Sequence, residues 1–478
     1  MRQKRWWSLL LSRSLRLAGL LALLVVLLAP LASGQNVEAT PAVRPPQLQV
    51  VSHQVASGLR VLMVEDHAAP VVNLQMWYHV GSKDEKARRT GFAHLFEHLM
   101  FKGSAHVPPE EHSRIIEAVG GFDNAYTADD VTVYWETFPS NYLERVIWLE
   151  ANRLGSLNVS EANFQSEREV VKEERRVRVD NRPYGRVVED LYAAAFTVHP
   201  YKHTVIGSMD DLNKATVEDV REFFRTYYRS DNAAMVIVGD FTPVEAVRWV
   251  EKYFGGIPRP AQGVPRPTAK EPPQRAERRL TKSYSNTPLP AVIQGYQIPA
   301  LFTPDSYPLN LASNILSQGE SSRLYRKLVY DERLAIEAAG FGNFTEDPNL
   351  FWALAIMNQG KSAAEGEKAI DATLKLMKTQ PVEAKELQKA KNQVIANFIL
   401  GRQTAQQKAD AIGQYAVLGK DPDLVNTELE RFLRVTPADI QRVARQYLVP
   451  QRRTVLVVEP PQASEKPEKQ SPGSGSQR

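Results

Sequence analysis

Cysteine is absent from all 478 residues. That excludes disulfides, thiolate metal ligands, iron–sulfur clusters and a cysteine nucleophile, so a transition-metal site has only histidine and carboxylate to draw on. Histidine is scarce: the nine present all lie at or before His203, and the second half of the chain can offer only oxygen ligands. Long apolar runs are missing apart from Leu17 to Leu28, which is short for a membrane span. Arg2, Lys4, Arg5, Arg13 and Arg16 precede that run and Ala32-Ser33-Gly34 follows it. Residues 1–34 therefore read as a cleaved signal peptide, and the mature protein as periplasmic or secreted, with no membrane span after cleavage. With no cysteine after the signal, lipid attachment is excluded. A strong net charge is missing too. The formal charge is +4, but without the five basic residues of the signal the 59 Lys and Arg fall to 54 against 55 Asp and Glu, a net of −1. Nothing in that balance favours nucleic acid.

What is present is core-forming material, 43% hydrophobic, enough for two or three domains. Residues 35–47 are polar with three prolines and read as an exposed lead-in. Strand patterns follow at Leu48 to Val55, Arg60 to Glu65 and Val71 to Val80, then a helical pattern over 87–101 and another from Glu110 to Val119. Asn124 to Phe138 alternates like a hairpin turning at Asp129-Asp130. Helices are predicted over about 140–155 and 160–178, then Val217 to Tyr228, and a buried strand over Ala233 to Gly239. Six prolines mixed with Arg and Lys make residues 258–282 a solvated, basic linker. Beyond it come a strand at Ala291 to Ile298, helices around 305–316 and from Ser321, strand material in Ala339 to Met357, and long helices over about 382–416.

The end of this half repeats the end of the first. Thr216-Val217-Glu218-Asp219-Val220, Tyr227 and Met235 to Val238 have counterparts 220 residues later in Thr436-Pro437-Ala438-Asp439-Ile440, Tyr447 and Val455 to Val458. Each is a capped helix leading to a buried strand. The chain thus reads as a duplicated domain, 48–257 and 283–460, joined by the linker and ending in a disordered tail, 461–478.

The chemistry centres on Gly91 to Phe101, where His94 and His98 stand four residues apart on one helix face and can hold one metal together. Glu97 sits one residue before the second histidine, close to a water on that metal. A catalytic site needs a third protein ligand and an open fourth position. In the helix around Glu167 to Val177, at about 100° per residue and with Glu167 at zero, Val170 falls near −60°, Val171 near +40°, Glu174 near −20° and Val177 near −80°. Glu174 lies in the apolar stripe, whereas Glu173 points away. A carboxylate facing a core costs several kcal/mol unless paired or bound to metal, which makes Glu174 the natural third ligand. Glu167, on the same face two turns earlier, suits a supporting role in catalysis such as orienting a histidine. Two histidines and a carboxylate also suit iron, so ligand type alone leaves the metal open.

His94-Leu95-Phe96-Glu97-His98-Leu99-Met100-Phe101-Lys102-Gly103 resembles the inverted zinc motif of the pitrilysin/insulinase (M16) metallopeptidases. The resemblance continues through Gly120-Gly121-Phe122-Asp123-Asn124-Ala125-Tyr126-Thr127, Glu167-Arg168 with Glu174, Asn181-Arg182-Pro183-Tyr184-Gly185, and Ser321-Ser322-Arg323-Leu324-Tyr325. It covers about residues 50–460 and is nearest the small two-domain bacterial type, similar to mitochondrial processing peptidase subunits. It implies an α+β fold of two homologous domains, each a mostly antiparallel sheet covered by helices, closing like a clam-shell around a chamber. It implies one Zn2+ per chain on His94, His98 and Glu174, Glu97 as general base, and Glu167 in support. It further implies that a peptide or unfolded polypeptide pairs as an added strand near Asn124, Ala125 and Tyr126.

One departure bears on partners. Active single-chain members carry an arginine and, seven residues later, a tyrosine in the second domain, and Val329 and Ile336 stand there instead, with Tyr330 and Arg333 out of register. A homodimer, or a heterodimer with an M16 paralogue that supplies the missing residues, is expected. The competing reading is an assembly or binding subunit with a structural zinc, against which Glu97 stands, since a structural site has no use for a base. A two-domain binding protein would explain export and duplication but not Glu174 in register with two histidines.

Overall fold

β-branched and aromatic runs build two sheets, and amphipathic helices cover them. The computed structural model describes residues 44–461; the predicted signal, residues 35–43 of the lead-in and residues 462–478 of the tail lie outside the described residues. In the first half the elements are β1 (Val51–Gln54), β2 (Arg60–Glu65), β3 (Val71–Tyr78), α1 (Phe92–Leu99), α2 (Glu111–Ala118), β4 (Phe122–Thr127), β5 (Thr132–Pro139), α3 (Leu143–Ser156), α4 (Glu161–Arg175), α5 (Val187–Ala195), α6 (Met209–Lys214), α7 (Val217–Tyr227), β6 (Ala233–Gly239) and α8 (Pro243–Phe254). The second half runs β7 (Arg278–Ser283), β8 (Ala291–Ile298), α9 (Ser306–Ser317), β9 (Ala335–Gly342), β10 (Asn349–Met357), α10 (Ala363–Thr379), α11 (Ala384–Leu400), α12 (Ala405–Val417), α13 (Leu424–Leu433), α14 (Pro437–Tyr447) and β11 (Arg453–Glu459).

The sheets share one plan. The first is ordered β1-β2-β6-β3-β5-β4 and the second β7-β11-β8-β10-β9, so β2, β6, β3, β5 and β4 correspond in order to the five strands of the second. Each contains a single parallel pair, β2 with β6 and β7 with β11, among antiparallel neighbours. This is an α+β fold of two like halves, and α7–β6 and α14–β11 are its repeated ending. Thr216 and Thr436 both cap their helices with reciprocal hydrogen bonds to Asp219 and Asp439.

The halves exchange helices. α12 from the second half lays Ala409, Ile412, Tyr415 and Ala416 on Leu62, Trp77, Val133 and Val236 of the first sheet. In return α5 lays Leu191, Tyr192 and Ala195 on Ile293, Leu350, Trp352 and Leu456 of the second. The central strands are thus buried on both faces, which is why β3, β6 and β8 read as near-continuous apolar runs. Gly413 lets α12 press close to β3: a Cβ there would stand 2.1 Å from the Trp77 ring. Lys83, buried near the β4–β5 turn, joins Asp130 at 2.8 Å and Glu346 of the second half at 2.6 Å, and Asp130 also accepts from the Tyr201 hydroxyl and the Glu346 N–H.

The expectation of a solvated linker needs correction. Residues 258–282 do not stand free in solvent: Glu271 accepts from the backbone N–H groups of Thr197, Val198 and His199, Gln274 is buried against Gln297, and the basic run enters strand β7, where Arg278 donates to the Ala194 and Ala195 carbonyls. Polar composition hid this because main-chain hydrogen bonding, not apolar burial, ties the strap down. The described end of the lead-in, residues 44–47, is mostly exposed, and Arg44 pairs there with Glu430 at 2.6 Å. Helices α5, α6, α8, α10 and α13 have no counterpart in the sequence reading; α5 buries its face on the other half's sheet, beyond the reach of local periodicity.

Candidate metal centre

α1 begins at Gly91, whose backbone is left-handed at φ +90° and whose missing Cβ would meet the Ile206 carbonyl at 2.8 Å. No side chain at Gly91 caps the helix, and Glu85 takes over. The N–H groups of Gly91 and Ala93 donate to its carboxyl group at 2.9 and 2.8 Å and so satisfy the helix N-terminus, although burial raises that carboxyl well above its ordinary range. Phe92, Leu95, Phe96 and Leu99 then lock one face of α1 into the core. His94, Glu97 and His98 fall on the other, against α4.

There the ligand set assembles. His94 Nε2 and His98 Nε2 stand 3.6 and 3.4 Å from Glu174 Oε2. Two donors on one tetrahedral ion, with bonds of about 2.0–2.2 Å, are separated by about 3.3–3.5 Å; both histidine–carboxylate separations match that, and the three residues offer ligand atoms within 4.8 Å of one another. The electrostatics agree with that use. Burial, with His98 beside it, lowers His94 to about 4 and keeps it neutral. Burial alone would raise Glu174, but His98, His94 and Arg178 pull it to about 2. Burial opposes charge on His98 as well, yet Glu167 and Glu174 raise it to about 9.

The outer partners are equally specific. Glu167 Oε2 faces His98 Nδ1 at 3.4 Å, and its other oxygen meets Lys102 Nζ at 2.9 Å. Arg178 pairs with Glu174 Oε1 at 2.5 Å, leaving Oε2 for the ligand set. Burial raises the Glu97 carboxyl above its ordinary range, and the Thr127 hydroxyl, donating to Oε2 at 2.7 Å, opposes the rise.

β4 runs beneath this site as the edge strand of its sheet. The Ala128 N–H bonds to the Val131 carbonyl, so by antiparallel alternation Asn124 and Tyr126 turn their main-chain groups to β5, and Ala125 and Thr127 turn theirs to the open edge. There the Ala125 N–H bonds to its neighbour's Asn124 Oδ1 at 2.8 Å. The Tyr126 ring packs edge-on against Trp77, on the sheet face that α12 covers.

The predicted ligands His94, His98 and Glu174 meet, with Glu97 and Glu167 around them. The argument that found Glu174 needs amending, however. Val171 is buried, but Val170 is 46% and Val177 60% exposed, so the supposed apolar stripe is not core on that side and Glu174 sits at its border with the open site. In the second half, Tyr330 and Ile336 lie exposed near the start of β9, and Arg333 adopts φ +52°. Sequence reasoning missed Glu85, Lys102, Thr127 and Arg178, each of which acts through a neighbour rather than through a motif of its own. It also missed a second fully buried set, His112, Glu136 and Glu150, whose carboxylates both bond to Arg153. The Arg153 guanidinium already occupies the centre of that set, and burial raises Glu150 to about 8.

Residues 60–208 match the family described as "Insulinase (Peptidase family M16)", and residues 214–394 that described as "Peptidase M16 inactive domain". The zinc protease PqqE of Helicobacter pylori is 32% identical over 406 residues, covering 84% of this chain and 91% of that one. A probable mitochondrial-processing peptidase subunit beta of Schizosaccharomyces pombe is 25% identical over 406 residues, with 82% and 87% covered. Among solved structures, a protease from Helicobacter pylori is 31% identical with a TM-score of 0.84, covering 86% of this chain and 100% of that one. Among the described residues no helix is long and apolar enough to cross a membrane.

Proposed function

The chain belongs to the insulinase (M16) peptidase family, and from that premise we propose that it is an exported zinc endopeptidase cutting peptides or unfolded segments. The observation that carries the reading is Glu97. It stands one residue from a metal-type ligand with its carboxylate anchored by Thr127, and a purely structural metal would leave it without a task. His94, His98 and Glu174 would hold one Zn2+, whose Lewis acidity activates water and polarises the scissile carbonyl. Glu97 accepts the proton of the attacking water and later delivers it to the leaving amine. Glu167 keeps His98 oriented and is itself steadied by Lys102.

Substrate would add as a strand along β4, its backbone meeting the free main-chain groups of Ala125 after the Asn124 side chain yields. Asn124 and Tyr126 then flank the bound peptide. The export assignment rests on the N-terminal pattern of residues 1–34. A homodimer or a heterodimer with an M16 paralogue is part of the reading, supported by Val329 and Ile336 at the second-half positions and by a relative named as a subunit.

Zinc content and hydrolysis of quenched peptides, for wild type and Glu97→Gln, test the proposal. We expect Glu97→Gln to keep its zinc and lose about 10²–10⁴-fold in kcat, the usual worth of a general base. A Glu97→Gln protein that holds zinc and cleaves at the wild-type rate would refute it.

A further inference from the structure

The hydrogen bond that anchors Glu97 comes from the strand, not from the helix that carries the carboxylate. Thr127 Oγ1 donates to Glu97 Oε2 at 2.7 Å and lies 3.5 Å from the Ala93 carbonyl. A hydroxyl has one proton, and the partner at 2.7 Å, not the one at 3.5 Å, takes it. Among the described residues Thr127 is the one hydrogen-bond partner of the Glu97 carboxylate. Thr127 is also the last residue of β4, directly opposite Thr132.

That end of the strand is unusually well fixed. Thr132 donates to the Val80 carbonyl at 2.9 Å. The turn after Thr127 is stapled by Ser82 N–H to the Ala128 carbonyl and Lys83 N–H to the Asp129 carbonyl, at 3.2 and 3.0 Å. Thr127 is β-branched, so its χ1 is stiff and its hydroxyl direction follows the backbone. Its main chain faces the open edge of β4 while its side chain reaches α1.

We propose that Thr127 is a positioning residue: its hydroxyl holds Glu97 Oε2 so that Oε1 is aimed at the attacking water, and it links occupancy of the β4 edge to the setting of the base. The inference rests on the peptidase reading above. The hydroxyl neither gains nor loses a proton overall. Glu97 Oε1 accepts the proton from water, Oε2 keeps its hydrogen bond throughout, and the same proton leaves with the amine. A strand that gathers a peptide along its edge would therefore hold, at its last residue, the group that must act on it.

The test uses the full zinc-loaded chain as wild type, Thr127→Val and Thr127→Ser, with zinc content, kcat and KM on a quenched peptide, and a crystal structure of Thr127→Val. Valine keeps the shape and removes the hydroxyl; serine keeps the hydroxyl. A hydrogen bond to a charged group contributes about 1.5–3 kcal/mol, so Thr127→Val should hold wild-type zinc and KM while kcat falls about 10–100-fold. Thr127→Ser should stay within about threefold of wild type, the loss of one methyl's packing. Wild-type kcat in Thr127→Val, or an equal loss in both variants, would overturn the proposal. Should wild type show no Glu97-dependent hydrolysis, the peptidase reading fails separately. The crystal structure then decides the positioning claim: a rotated Glu97 carboxylate in Thr127→Val upholds it, and an unmoved one overturns it.

Discussion

Asp410, on α12, is largely buried against the first sheet, where its carboxylate accepts from Gln75 Nε2 at 2.8 Å. Gln75 in turn accepts from the Trp77 indole at 2.6 Å, so a short polar chain crosses an otherwise apolar contact between the halves. Burial raises the Asp410 carboxyl from 3.8 to about 6, with Gln75 only partly opposing it. The sign follows from linkage. A carboxyl raised on folding adds stability that is complete below its unfolded pKa and lost as pH climbs through the folded one. Two pKa units correspond to about 3 kcal/mol at pH 7.5 and roughly half that at pH 5. Asp410→Asn keeps an oxygen for Gln75 and cannot ionise, so it should be more stable than wild type by about 2–3 kcal/mol at pH 7.5, less at pH 5, and hardly at all near pH 3.5. At about 2.1 cal/mol/K per residue, a chain this long gains roughly 1 °C in Tm per kcal/mol. Scanning calorimetry across that pH range reads the effect. A variant that melts with wild type at pH 7.5, or whose advantage grows on acidification, would refute the reasoning.

Two further outcomes follow from the contact between the halves. Gly413→Ala puts a methyl group into the Trp77 ring, and with backbone on one side and a buried indole on the other it should cost at least about 1–3 kcal/mol; an unchanged urea midpoint would show that α12 lifts freely. Lys83→Ala strips the buried cation from Asp130 and Glu346 and should destabilise by about 3–5 kcal/mol, which denaturant titration will show as an early transition or as the splitting of one transition into two.

The legible part of this protein was whatever repeats locally. The i, i+4 histidines, the period of α4 and the capped α7 and α14 each carry their signal within a dozen residues, and each stands where the pattern put it. Glu174 lies beside the two histidines, but the premise that led to it is partly unsound. Its phase relative to Glu167 was right, but Val170 and Val177 are exposed, so the stripe marked the wall of an open site rather than core. Glu85, Thr127 and Arg178 escaped because a supporting contact has no spacing rule; Thr127 and Glu97 are 30 residues apart and meet only once β4 lies under α1. The strap before β7 escaped for the opposite reason. Its prolines and charges looked solvated, yet its backbone is where the binding energy lies.

The two halves share a sheet plan but differ in what they bring to the proposed site. The two sheets have the same strand order, yet the nine histidines end at His203, so the second sheet cannot repeat the ligand set. What the second half contributes instead is α12, which covers Leu62, Trp77, Val133 and Val236. Trp77 and Val133 lie on β3 and β5, and β5 is the strand that holds β4 in register. Without α12 that face would meet water, at about 25 cal/mol for each Å² exposed, and the support of the β4 edge would loosen with it. The helix exchanged in return, α5, is tied to α4, since Glu189 pairs with Arg175, one residue beyond the proposed ligand Glu174. Each half thus supports the proposed metal centre from a different side: the first through its own α1 and α4, the second by covering the far face of the sheet on which the site rests.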